Sequence, residues 1–182
     1  MMARTLCVLG MALALASAAA YAQQHAPLDT REQAFVAQAT SDDAMQIALA
    51  QLALGKSSNG KVLALAKKIV SDHTALNLQF AQLASNTGSK GHAHGVPAQN
   101  IAGMKAHLQS LNGEAFDQAF AGIMVKEHRK IIAAYEVAAQ TSADPRLKKI
   151  ASQGIPVLQG HLAMAQALMK DGSPAEQRRE AK

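Results

Sequence analysis

Three stretches of this sequence repeat apolar side chains at steps of four and three residues, strictly alternating in the first and third, and a histidine interrupts each repeat near its centre. The first runs Val62, Ala66, Ile69, His73, Leu76, Phe80 and Leu83. The second runs Phe120, Met124, His128, Ile131, Tyr135 and Ala138, and a register through Val125 and Ile132 serves as well and also contains His128. The third runs Leu147, Ala151, Gly154, Leu158, His161, Ala165 and Leu168. Side chains spaced in this way share one stripe of an α-helix, whereas a half-buried strand alternates with a period of two. Aromatic residues make up 3% of the chain and the apolar content is largely Ala, Leu and Ile, which favours packed helices over a sheet. The expected class is all-α.

Local signals place the helix ends. Asp29-Thr30-Arg31-Glu32 has the spacing of a capping box and opens an amphipathic stretch that runs to Leu54 and stops at Gly55. A second helix is expected from near Ser57-Ser58 to Asn86, and a short helical piece from Ile101 to Leu111. Asn112-Gly113-Glu114 starts the third long helix, which extends to about Thr141. Asp144-Pro145 opens the fourth, with Asp as N-cap and Pro in the first turn, and Gly172 closes it. Four helices of roughly 25 residues, each about 38 Å long, joined short, long, short, describe an antiparallel four-helix bundle over residues 30–170. The short extra helix falls in the long connection, residues 87–111, between the second and third helices. That connection either caps one end of the bundle or crosses it. Residues 171–182 are polar and are expected to form a disordered tail.

Residues 1–22 read differently from the rest. Arg4 supplies a positive start, Leu6 to Ala16 is apolar, and Ala20-Tyr21-Ala22 offers the small residues that a signal peptidase reads. The segment is short for a membrane span, so a signal peptide cleaved after Ala22 is expected, leaving a leader at 23–29 and a periplasmic or otherwise exported protein with no transmembrane segment. Of 18 Lys and Arg, removal of Arg4 leaves 17 against 13 Asp and Glu, a balance of +4. The single cysteine, Cys7, leaves with the same segment. Thiol catalysis, thiolate metal sites and disulfides are thereby excluded from the mature chain. An exported, aromatic-poor and mildly basic chain is a poor candidate for nucleic-acid binding, while peripheral association with an envelope stays open.

The three seam histidines reach a common depth. His128 stands about 13 residues before the end of its helix and His161 about 16 after the start of the next, so they lie roughly 20 and 24 Å from their shared turn. His73 is matched to His128 in the same way from the other end. Three imidazoles at one level suggest either a metal site or a buried polar layer that fixes helix register. Three neutral imidazoles suit zinc, copper or nickel. Asp42, on the apolar face of the first helix, is the best candidate for a fourth ligand or for an acceptor behind a ligand. Asp72 and Glu127, each one residue before a seam histidine, point about 100° away and are expected to pair with lysines at helix boundaries. His92-Ala93-His94 lies in a glycine-rich loop and suggests only adventitious metal contact.

Beyond this residue-level reading, the chain resembles the ferritin-like domain-of-unknown-function family 4142, exported bacterial proteins often labelled as outer membrane proteins. The resemblance is carried by Phe35 to Ala53, Val62 to Ala84 with Asp72-His73, Leu111-Asn112-Gly113, Phe116-Asp117, Met124-Val125 with Glu127-His128, and Leu147 to Leu168 with Pro156 and His161-Leu162. It implies a ferritin-like bundle and no established activity. The chain departs from the expected pattern at Gln46-Ile47-Ala48-Leu49, where glutamates are expected. Val70, Val125 and Leu158 stand three residues before the histidines, so there is no Glu-x-x-His and a di-iron centre is not expected. Nucleophile elbows, phosphate loops and paired catalytic carboxylates are absent as well. The reading is a non-enzymatic periplasmic binding protein with a His-lined core that holds a transition metal. The alternatives are an envelope-associated interaction module whose histidines only fix packing, and a metal-dependent enzyme. The oligomeric state is not specified by the sequence.

Overall fold

The computed structural model describes residues 26–87 and 98–171, which form five helices: α1 (Thr30–Lys56), α2 (Gly60–Thr87), α3 (Ala98–Ser110), α4 (Gly113–Thr141) and α5 (Pro145–Asp171). No strand occurs among the described residues. The expected signal peptide at 1–22, leader residues 23–25, His92-Ala93-His94 and tail residues 172–182 lie outside them.

Helix ends follow the local chemistry. Asp29 and Glu32 form the capping box of α1, with Glu32 N donating to Asp29 Oδ1 at 2.8 Å and Asp29 N donating to Glu32 Oε2 at 3.0 Å. The second helix opens at Gly60, two residues later than Ser58, for a specific reason. Ser57 terminates α1 by donating its N–H to Ala53 O, and Asn59 Oδ1 takes up the Lys61 and Val62 amides at the start of α2. Gly113 enters α4 at φ +54°, a conformation that glycine adopts without a Cβ clash. Asp144 caps α5 by accepting from the Arg146 and Leu147 amides, with Pro145 in the first turn.

The buried faces then assemble into a helical bundle. α1 packs against α2 and α4, α5 packs against α4 and α2, and α3 rests on α1 and α4. One apolar cluster joins Leu49 and Ala53 of α1, Val62 and Ile69 of α2, Phe116 and Met124 of α4, and Ala165 and Leu168 of α5. A second joins Val36 and Ala39, Leu76 and Leu83, Ile131 and Tyr135, and Leu147 and Leu158. The start of each long helix therefore meets the end of its neighbour, which makes every adjacent pair antiparallel. α2 ends in the second cluster with Leu83, whereas α4 begins in the first with Phe116, so the connection between them joins opposite poles. α3 lies against the first pole through Leu108.

Between the two clusters lies a layer of polar side chains. Each seam histidine is flanked on its own helix by one residue from each cluster: Ile69 and Leu76 around His73, Met124 and Ile131 around His128, Ala165 and Leu158 around His161. On α1 the layer is entered at Asp42 and Asp43.

Candidate metal centre

His73, His128 and His161 have no exposed surface, being 0% accessible each. They meet from α2, α4 and α5, with ring centroids 5.6 Å (73–128), 5.4 Å (73–161) and 5.2 Å (128–161) apart. One ring nitrogen from each lies within 4.8 Å of the others.

The opposite nitrogens are all engaged outward, and their partners assign the tautomers. His128 Nδ1 lies 2.9 Å from Met124 O, a carbonyl that can only accept, so the proton is on Nδ1. His161 Nε2 donates to Asp72 Oδ2 at 2.9 Å. His73 Nδ1 donates to the Asp43 carboxylate at 2.7 Å. In its neutral form, what each ring has left is a lone pair: Nε2 of His73, Nε2 of His128 and Nδ1 of His161. His128 Nε2 and His161 Nδ1 are 3.2 Å apart with no hydrogen between them, and His73 Nε2 is buried without a hydrogen-bond partner. Lone pairs brought together in this way repel unless a cation sits between them.

A proton is a poor occupant at neutral pH. Burial, followed by the neighbouring His73 and His161, holds the His128 pKa down at about 3. Burial likewise lowers His161 to about 4, despite the opposing hydrogen bond to Asp72. For tetrahedral coordination at 2.0–2.1 Å, ligand nitrogens stand roughly 3.4 Å apart, close to the separation found between His128 and His161.

The acidic residues are arranged differently from the expectation at Asp42. Asp42 is buried, but its Oδ1 accepts from Gln38 Nε2 at 2.9 Å, and its carboxylate is not part of the three-residue ligand cluster. The acceptor behind His73 is Asp43. Residues Ala39, Asp42, Asp43, Gln46, Leu49, Ala50 and Ala53 of α1 are all buried, a face wide enough to take adjacent positions inward. The signal was present seven residues later, where Leu49 and Ala50 form the apolar counterpart of Asp42 and Asp43. Asp72 does pair with Lys68, at 2.8 Å, and Glu127 with Lys130, at 3.7 Å. Asp72 also holds His161, a cross-helix bond that the sequence reading did not assign to it. Burial tends to raise the Asp72 pKa, but the hydrogen bonds from Lys68 and His161 outweigh it and hold the carboxyl below its ordinary value.

Two further polar groups in the core lack partners. Both side-chain atoms of the fully buried Gln46 are unpaired, as is the hydroxyl of Tyr135. Desolvation, and then the charges of Asp43 and Asp42, push the Tyr135 phenol well above its ordinary pKa, so it remains a neutral donor beside this layer.

A family model described as a domain of unknown function, DUF4142, matches residues 16–168. No curated protein and no solved structure matches the chain.

Proposed function

The chain belongs to the DUF4142 family, and from that premise we propose that it is an exported, ferritin-like bundle that binds one transition-metal ion on His73, His128 and His161. The carrying observation is the convergence of three imidazole lone pairs whose opposite nitrogens are already hydrogen-bonded to Met124 O, Asp43 and Asp72. A hydrogen bond that fixes the tautomer and orients the ring is what ligating histidines need. The antiparallel packing and the connection between opposite poles support the ferritin-like reading. The donor set does not suit ferritin chemistry, because the carboxylates lie behind the imidazoles instead of among the donors. Neutral nitrogen donors favour zinc, copper or nickel.

Binding is favoured over turnover because the three rings expose no surface to a substrate. If the histidines only fixed packing, at least one inward nitrogen would be expected to carry a proton for its neighbour. The 3.2 Å contact between two acceptors argues against that reading. The test is elemental analysis of untagged mature protein, with intact mass locating the amino terminus. About one equivalent of metal, lost in His128→Ala, supports the proposal, and a start at Gln23 supports export. Metal-free protein that cannot be loaded with Zn2+, Cu2+ or Ni2+, or loading unaffected by His128→Ala, would overturn the metal reading.

A further inference from the structure

The charges around the histidines specify more than a donor set. Four carboxylates stand in or beside the layer: Asp42, Asp43, Asp72 and Glu127. Two lysines answer them, Lys68 on Asp72 and Lys130 on Glu127. With all four carboxylates ionised, four negative charges against two positive ones leave −2. The remainder resides on Asp42, bonded to the neutral Gln38, and on Asp43, whose partner His73 can ligate a metal only as a neutral imidazole. Asp43 is nearly inaccessible, at 1% side-chain exposure, so water does little to screen it.

Resting on the metal-binding reading, we propose that the site takes its metal as a divalent cation, of the class Zn2+, Cu2+ or Ni2+, and discriminates against monovalent cations of the copper group, with Asp43 as the positioning residue that sets this preference. A 2+ ion brings the layer to neutrality, whereas a 1+ ion leaves a buried negative charge unanswered. Asp43 acts through His73: its carboxylate fixes Nδ1–H, aims Nε2 inward and adds a negative charge one imidazole away from the ion. The same charge attracts a divalent ion twice as strongly as a monovalent one at equal distance.

The experiment uses metal-stripped mature protein and two redox-inert probes, Zn2+ and Ag+, each measured by competition against a chelator of known affinity. Asp43→Asn keeps an oxygen that accepts from His73 and removes the charge. Zn2+ affinity should fall about 10–100-fold, the usual range for an outer-shell change, and Ag+ affinity by roughly the square root of that factor, about 3–10-fold. Lys68→Gln, at a half-exposed position, shifts the balance in the opposite direction and should tighten Zn2+ more than Ag+. It keeps the inference testable if Asp43→Asn does not fold. Equal losses for both ions in Asp43→Asn, a Zn2+ affinity that Lys68→Gln leaves unchanged, or wild type holding Ag+ more tightly than Zn2+ would overturn the charge argument. His128→Ala separates that failure from a deeper one. Ag+ bound and lost with His128 leaves the metal site standing without its divalent preference, whereas indifference of both ions to His128→Ala removes the site itself.

Discussion

Acid should unfold the metal-free protein through His128 and His161, and the size of the effect follows from their surroundings. Both are neutral in the folded layer, with pKa values of about 3 and about 4 against 6.5 when unperturbed. As pH falls below 6.5 the unfolded chain binds protons that the folded one refuses, so stability drops through the window between 6.5 and these lower values. At pH 5 each histidine contributes a loss of about 2 kcal/mol relative to pH 7.5, about 4 kcal/mol together. That is a large share of the roughly 5–15 kcal/mol that holds a typical domain folded. Carboxylates in the layer titrate alongside the histidines, and they do so in both senses. Burial raises Asp42 and Asp43, so their protonation favours the folded state, whereas Asp72, held low by Lys68 and His161, works in the opposite sense. Urea unfolding of metal-free protein at pH 7.5 and pH 5 measures the difference. The control is His128→Leu/His161→Leu, which removes both groups and should leave a much flatter dependence. A wild-type change below about 1 kcal/mol, or an equal loss in the double variant, would refute the reasoning.

Saturating zinc at about 100 times its dissociation constant should stabilise the protein by about 2.7 kcal/mol, raising Tm by roughly 5–11 °C, and a chelator should reverse the shift in a thermal melt. Leu76→Ala, Ile131→Ala and Leu158→Ala each empty a buried seam position and should destabilise by about 2–5 kcal/mol in denaturant titrations. Gly154→Ala should destabilise by about 1–2 kcal/mol net, because its Cβ would lie 2.7 Å from Cε1 of the fully buried Tyr135 and the overpacking exceeds the helix-propensity gain. Gly160→Ala, with nothing within 4 Å, should instead stabilise by up to about 1 kcal/mol, and a shared sign for the two variants would contradict this packing.

Much of the bundle was legible because its signals are local. The capping box at Asp29, the Asp144-Pro145 start and the four-three spacing each depend on a few neighbouring residues, and the structure buries the seam positions assigned to α2 and α5. The convergence of His73, His128 and His161 was legible for a related reason: rise per residue converts distance from a turn into depth. The start of α2 was displaced because Ser57, a plausible N-cap on its own, was already the C-cap of α1.

The partners of the histidines could not be read in the same way. Periodicity says which residues of a helix face inward, and it gave three histidines at one level. It does not say how far each helix is rotated or offset against the next. That rotation decided that Asp43 and not Asp42 meets His73, and that Asp72, at the edge of α2, reaches across to His161 on α5. The direction of the long connection depended likewise on which poles α2 and α4 occupy. The sequence by itself determined helices, their ends and the shared depth of the imidazoles, because 3.6 residues per turn and 1.5 Å per residue are properties of a single helix. Only the tertiary structure decided which oxygen stands behind each ring and which nitrogen is left facing inward, because a hydrogen bond is set to within tenths of an ångström by the packing of several helices at once.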